Sequence, residues 1–419
     1  AKNIVGAAIF ALSSALTTSQ TGLVPGIALV LVIGAISTIS FCLLGGASAE
    51  CLADADPLTT ETLWHATVGR GAGLVGVVIL VYACGALIQY TATCAELLGP
   101  MASRALTRPA RVLCVGAALI PVCLARDLTA LRHSSTVGLA GVLYSALFMC
   151  WRAFDGSYKP GGRWFGLPTA GGSIVGHNMG TAAPMLAFSR RSLRLIGVLN
   201  TAYFAHLNVP AYWRAWKSAQ PSSGRGQLSG ALSAVQQKAS VARFSVVVGA
   251  AFAVCAALYS LVMIVGYKTF GGSADPTLLL LRYAAADRGA ALMRFATLLS
   301  VVCGYPLIFQ AVRDMLCNYL LSPTPSIFAW RGLSLGFFAT MTLMALGVQN
   351  LASFIALRGA VLGSLLIYSL PATIGLAWYR RSQPNGRAGQ HMGVHASLIA
   401  LGVYGAIAAV LGAMSLLGK

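Results

Sequence analysis

Charge is scarce in this chain: only 9% of its 419 residues are Asp, Glu, Lys or Arg. A soluble domain carries about 25%, so water is not the main solvent for most of this sequence. Acid is scarcer still, with 10 Asp and Glu against 29 Lys and Arg. No pair of carboxylates falls inside an apolar run, which leaves nothing for paired acid–base work. The GxxxxGK[ST], HExxH and GxSxG patterns are all missing, and with them the phosphate loop, the zinc-peptidase helix and the nucleophile elbow. Ten cysteines are present without a single CxxC spacing, so they read as small packing residues and not as a disulfide framework or zinc site. The six histidines (65, 133, 177, 206, 391 and 395) are scattered; only His391 and His395 stand four apart, as an interfacial pair before the last apolar run. No catalytic residue, metal site or cofactor is expected, and the chain does not read as an enzyme.

What the chain has instead is apolar length. Hydrophobic residues make up 57% of it, and the mean hydropathy is +0.76. About 20 apolar residues cross a bilayer as a helix. By that measure eleven spans are predicted: 2–21, 23–46, 73–98, 111–125, 136–151, 195–213, 244–267, 291–320, 327–349, 351–379 and 394–417. The chain therefore reads as one transmembrane domain, 1–419, in an integral multi-pass protein of the plasma membrane or an endomembrane. The net charge of +19 would suggest nucleic acid in a soluble protein. Here the basic residues flank apolar spans, which suits lipid headgroups, so membrane lipid is the expected partner and nucleic acid is not. Basic residues are similarly numerous on both sides, so they do not orient the chain. It opens on Ala1 without an initiator Met, which suggests a trimmed native N-terminal tail; no cleavable signal peptide is visible.

The polar connections follow from the same reading. Residues 50–73 hold four of the ten acids, and 152–194 is a Gly-rich stretch with a basic end, part of whose second half is apolar enough for the membrane. Residues 216–243 are rich in Ser, Gln and Gly and predict a short surface helix.

Two spans are abnormal. The first carries Gly6-Ala7-Ala8 near its start, small residues that weaken a helix where lipid would punish unpaired backbone. In the sixth, Pro210 lacks an N–H and clashes with the carbonyl of His206, four positions back. Interrupted spans at matching places in two halves mark a transporter's binding site. Among other ionisable groups, Lys2, Glu96 and Arg358 lie inside spans. Arg358 reads as snorkelling or helix packing, and Glu96 as an interfacial carboxylate near Arg104 or a coupling group. Arg313-Asp314 reads as the surface end of a helix.

The ordered motifs resemble the amino acid/auxin permease family of the amino acid–polyamine–organocation superfamily, closest to its neutral amino acid branch. The residues are Gly6-Ala7-Ala8-Ile9-Phe10-Ala11-Leu12-Ser13 in the first span and Phe204, His206, Pro210 and Tyr212 in the sixth. Gly266-Tyr267-Lys268-Thr269-Phe270-Gly271, Pro306-Leu307-Ile308-Phe309 before Arg313, and Gly359-Ala360 before Leu370-Pro371-Ala372 complete the set. The resemblance implies an all-α LeuT-like fold: spans 1–5 (about 2–151) and 6–10 (about 195–379) form an inverted repeat with broken helices 1 and 6, and span 11 follows (about 394–417). It implies transport of an amino acid by alternating access. Half-helix N-termini favour a carboxylate and exposed carbonyls an ammonium. By that logic Gly6, Ala7, Ala8 and Ile9 face the carboxylate, and Tyr203, Phe204, Ala205 and His206 line the opposite wall. Tyr90 closes the pocket, as similar positions do in relatives.

Two positions depart from the sodium-coupled relatives: Lys2 falls in the register of their Asn, with Asn3 one residue late, and Val302 replaces a hydroxyl. An ammonium and a methyl are poor sodium ligands, so coupling to protons is expected over sodium, with Lys2, Asn3 and Glu96 as the ion-coupling residues. A sensor that binds an amino acid without moving it, or a carrier of a polyamine or auxin-like acid, remains open at this stage.

Overall fold

A computed structural model describes residues 9–52, 59–102, 106–124, 134–176, 185–220, 230–271, 278–321, 326–382 and 388–417. Among them the chain is helical apart from turns and two isolated β-bridges. Eight helices are long and apolar enough to cross a membrane. The other three predicted spans fall on shorter pieces: α1 (Ile9–Thr18), α5 (Arg108–Cys123), and the pair α7 (Leu193–Ala202) and α8 (Val209–Ala219).

The long helices are α2 (Leu23–Cys51), α4 (Ala72–Leu98), α6 (Ser134–Phe154), α9 (Gly230–Phe270), α11 (Arg288–Leu320), α12 (Ile327–Leu346) and α15 (Ala388–Leu417). The eighth is composite: α13 (Leu351–Arg358), two π-helical turns (Gly359–Gly363 and Leu365–Ser369) and α14 (Leu370–Ser382). Their outward faces carry large apolar residues such as Ile39 (64% exposed), Val246 (72%) and Leu343 (60%). A surface this apolar suits lipid and not water.

Local chemistry sets the helix starts. Asp287 caps α11 by accepting from Gly289 N at 3.0 Å, Ser326 caps α12 and Asn350 caps α13. Residues 50–73 contain a short helix that the apolar pattern does not mark, α3 (Thr60–Thr67), which begins in a reciprocal Thr59–Thr62 capping box. The expected surface helix in 216–243 is instead the first part of α9, which runs without a break from Gly230 into the membrane span.

Two bundles pack side by side. Helix α2 lies against α9, and α7 against α13 and the first π turn; α4 packs on α5, α11 and α12, and α11 on α6. After α6 the chain forms a cap, residues 155–176, joined to the segment around α10 (Leu279–Arg282) by bridges Thr169–Ala284 and Ala170 N to Tyr283 O at 3.1 Å. The apolar second half of 152–194 is thus largely loop in its described part, up to a 3-10 turn at Arg190–Ser192 that leads into α7.

Candidate functional site

The break in the sixth span is real and its ends are built. Helix α7 stops at Ala202, residues 204–205 are non-helical, His206–Asn208 make one 3-10 turn, and α8 begins at Val209. Pro210 sits in the first turn of α8, where its missing N–H is an orphan in any case. Carbonyls freed by the break are taken up by hydroxyls: Tyr259 donates to Ala202 O at 2.8 Å and Thr60 to Leu207 O at 3.0 Å. Irregular backbone at membrane depth persists only with such partners.

The stem of the break is held by the π-helical region. Gly197 and Gly359 let α7 and the first π turn touch backbone to backbone; a Cβ on Gly197 would run into the Ala356 carbonyl oxygen, and one on Gly359 into that of Gly197. Asn200 then ties the two together. Its Nδ2 donates to Ser364 Oγ at 2.8 Å and to Gly359 O at 3.3 Å, and its Oδ1 accepts from Tyr368 at 2.8 Å. A π turn frees backbone carbonyls from their usual partners, and here the Gly359 carbonyl serves the neighbouring helix.

The predicted wall residues point in different directions. Tyr203 is fully buried against α2 and α9: its hydroxyl donates to Val30 O at 3.0 Å and its ring stacks on Phe252 at 5.9 Å. Ala205 is buried. His206 also turns to α2, with Nε2 2.9 Å from Ser40 Oγ and 3.1 Å from Ser37 O. A carbonyl only accepts, so Nε2 carries the proton in that contact. Its Nδ1 is buried and has no hydrogen-bond partner. Phe204 faces the opposite way and is half-buried, its ring 4.0 Å from that of Tyr82 on α4.

Tyr90 lies about two turns beyond Tyr82 on α4, half-buried. Ile9 is the first residue of α1 and is fully buried. Lys2, Asn3, Gly6, Ala7 and Ala8 lie outside the described residues. Glu96 is away from the break, at the end of α4, where it pairs with Arg108 at 2.8 Å; Arg104 lies outside the described residues. Arg108 also binds the carbonyls of Leu346 and Val348.

Arg358 does not snorkel. It is 8% exposed and lies across α4, with its Cζ 4.4 Å from the centre of the Tyr82 ring. Its Nη2 donates to Gln89 Oε1 at 2.5 Å and its Nη1 to Tyr82 O at 3.4 Å. Tyr82 and Gln89 were not singled out from sequence, although their seven-residue spacing on α4 is a signal of one polar stripe. Nor does Arg313-Asp314 end a helix: α11 runs on to Leu320, and Arg313 is buried with its Cζ 4.5 Å from the Trp330 ring.

Among the described residues no group of three metal-ligating side chains occurs. A family model described as "Transmembrane amino acid transporter protein" matches residues 1–189 and 233–415. Sequence comparison with curated proteins gives no significant match. The fold is similar to that of Mhp1 in its inward-facing conformation (15% identity, 99% of this chain and 88% of that one, TM-score 0.61). It is also similar to Mhp1, a nucleobase-cation-symport-1 family transporter, in a closed conformation with bromovinylhydantoin bound (15% identity, the same coverage, TM-score 0.56). A mutant form of the Eremococcus coleocola manganese transporter aligns over 99% of this chain and 94% of its own (10% identity, TM-score 0.50). These likenesses give a LeuT-type fold. Two blocks of family match on either side of the 190–232 segment cover most of the sequence, and the chain belongs to the transmembrane amino acid transporter family.

Proposed function

We propose that the protein carries amino acids across its membrane by alternating access, with the substrate held at the Phe204–His206 break opposite Gly6-Ala7-Ala8-Ile9. The observation that carries this reading is the break itself: a membrane helix opened at Phe204–Ala205, braced before the opening by Asn200 and Tyr259 and after it by Thr60. Bracing of the ends, with Phe204 half-buried between them, suits a site that must expose backbone to a polar solute. Phe204 and Tyr90 are the side chains that meet the substrate, while Tyr203, Ala205 and His206 shape the wall from behind.

Protons are the favoured coupling ion. Lys2 stands where sodium-coupled relatives place an Asn, and an ammonium offers sodium no hard oxygen ligand. Asn3 belongs to the same coupling group as Lys2. Glu96, paired with Arg108 at the end of α4, is the third residue of that proposed coupling group.

Uptake of a panel of radiolabelled amino acids into liposomes holding the purified protein tests this reading. A pH gradient stimulates uptake and sodium does not. Binding without flux assigns a sensor instead. Ala8→Trp fills the small-residue side of the site and abolishes uptake while the protein still elutes as a folded species; unchanged kinetics in that variant would remove the assigned pocket.

A further inference from the structure

By sequence position every acidic residue of the chain (50, 54, 56, 61, 96, 127, 155, 275, 287 and 314) stands in a connection or within about two turns of a helix end. The spans thus carry acid only towards their ends, whereas Arg358, the residue before the π-helical turns of the composite span, is buried within the bundle. Among the described residues no carboxylate lies within ion-pair distance of that guanidinium. Its partners are neutral, an amide oxygen and a backbone carbonyl, and its Nε is buried without any acceptor. Gly85 makes the room, since a Cβ there would come within 2.7 Å of Arg358 Cδ.

A buried charge is normally neutralised by a partner, because desolvation without one is expensive. A mere strut between α13 and α4 needs a hydrogen-bond donor, not a permanent cation. The position of the guanidinium says where the missing anion comes from. It lies against the Tyr82 ring, and that ring is also the one Phe204 touches at the break. Arginine's planar fork matches a carboxylate in two parallel hydrogen bonds, and its Nε has no hydrogen-bond partner among the described residues.

We propose that Arg358 anchors a side-chain carboxylate of the substrate, so that acidic amino acids are the preferred cargo. The proposal rests on the reading of the break as an amino acid site. There backbone takes the α-carboxylate and ammonium common to all amino acids, and Arg358 takes the second carboxylate. Gln89 and the Tyr82 carbonyl hold the guanidinium in place when the site is empty. A lysine or arginine substrate would bring a second cation beside Arg358, and is disfavoured.

The test is competition against uptake of a transported neutral amino acid in liposomes, first with the unaltered protein. Aspartate and glutamate compete about ten- to a hundredfold better than asparagine and glutamine, the worth of one charge-assisted contact. Arg358→Gln loses that factor in KM for the acidic substrates, keeps the KM of neutral ones within about threefold, and leaves chain folding intact; Arg358→Lys keeps part of the preference. Equal competition by acids and amides in the unaltered protein overturns the proposal without a variant. Equal loss for both classes in a folded Arg358→Gln protein also overturns it, and makes Arg358 a strut. Replacing chloride with gluconate leaves uptake unchanged; a chloride requirement that vanishes in Arg358→Gln would assign the site to an inorganic anion instead. Neutral uptake without acidic preference sinks only this proposal, whereas absence of any amino acid flux sinks the transport reading beneath it.

Discussion

Two arginines of this protein, one half-buried and one buried, are treated in opposite ways. Arg152, at the end of α6, is cancelled by two carboxylates. It reaches Asp155 at 2.7 Å and Asp287 at 2.9 Å, and its Cζ lies 4.8 Å from the Trp151 ring. Asp287 at the same time accepts from Tyr158 at 3.0 Å and caps α11. One carboxylate thus joins α6, the cap and α11. Arg358 has no counterpart to Asp287; its strongest contact is a neutral amide. The first arrangement is architecture, a charge cancelled within the chain so that three elements stay together. The second leaves a charge uncancelled where the fold could have used an apolar residue, which is the pattern of a site waiting for a ligand.

The comparison is broken most directly at Asp287. Asp287→Ala leaves the buried Tyr158 hydroxyl without its acceptor, takes one of two carboxylates from Arg152 and uncaps α11, at a cost of about 2–5 kcal/mol. A large drop in the unfolding temperature of the detergent-solubilised protein is the expected reading; an unchanged temperature would mean that this carboxylate does not hold α6, the cap and α11 together. The matching change at the other arginine has a much smaller effect on stability. Arg358→Met combined with Gln89→Met removes donor and acceptor together, and replacing both partners by apolar groups of similar volume is near neutral or stabilising. If the double variant unfolds as readily as Asp287→Ala, Arg358 is structural and the contrast fails.

The smallest expected effect sharpens the first arm. Burial pushes the Asp155 carboxyl up, but hydrogen bonds from Ser157 and the neighbouring Arg152 guanidinium outweigh it and hold the group below its ordinary range. A depressed folded-state value means the contact stabilises above about pH 4 and is lost as pH falls through that lower value. The contribution is under about 1 kcal/mol for a pair near the surface. Unfolding temperature compared between the unaltered protein and Asp155→Asn shows this as a small gap at neutral pH that closes in acid.

Most of the membrane architecture was legible beforehand because lipid imposes a simple rule: apolar length makes a span. The predicted 73–98 and 327–349 fall within a few residues of α4 and α12. The sixth-span break was legible for a related reason, since Pro210 removes a donor that a continuous helix needs. Misreadings came where partners far along the chain decide. Arg358 near the start of a span resembles a snorkelling residue, and only the stripe of Tyr82, Gly85 and Gln89 on α4 turns it inward. Tyr203 and Phe204 are adjacent aromatics with no sequence difference to say that one meets Val30 and the other Tyr82. The π turns carry no local signature either; they follow from the approach of Gly197 and the pull of Asn200.

The sequence by itself determined the solvent of this protein, the positions of its long spans, the existence of a break and the family, because each depends on local composition or on the order of short motifs. The tertiary structure alone decided which charges are cancelled. Asp287 lies 135 residues from Arg152, and Gln89 lies 269 residues from Arg358. Whether a buried cation is spent on the fold or kept for a ligand is a property of such distant pairs, and no local pattern encodes it.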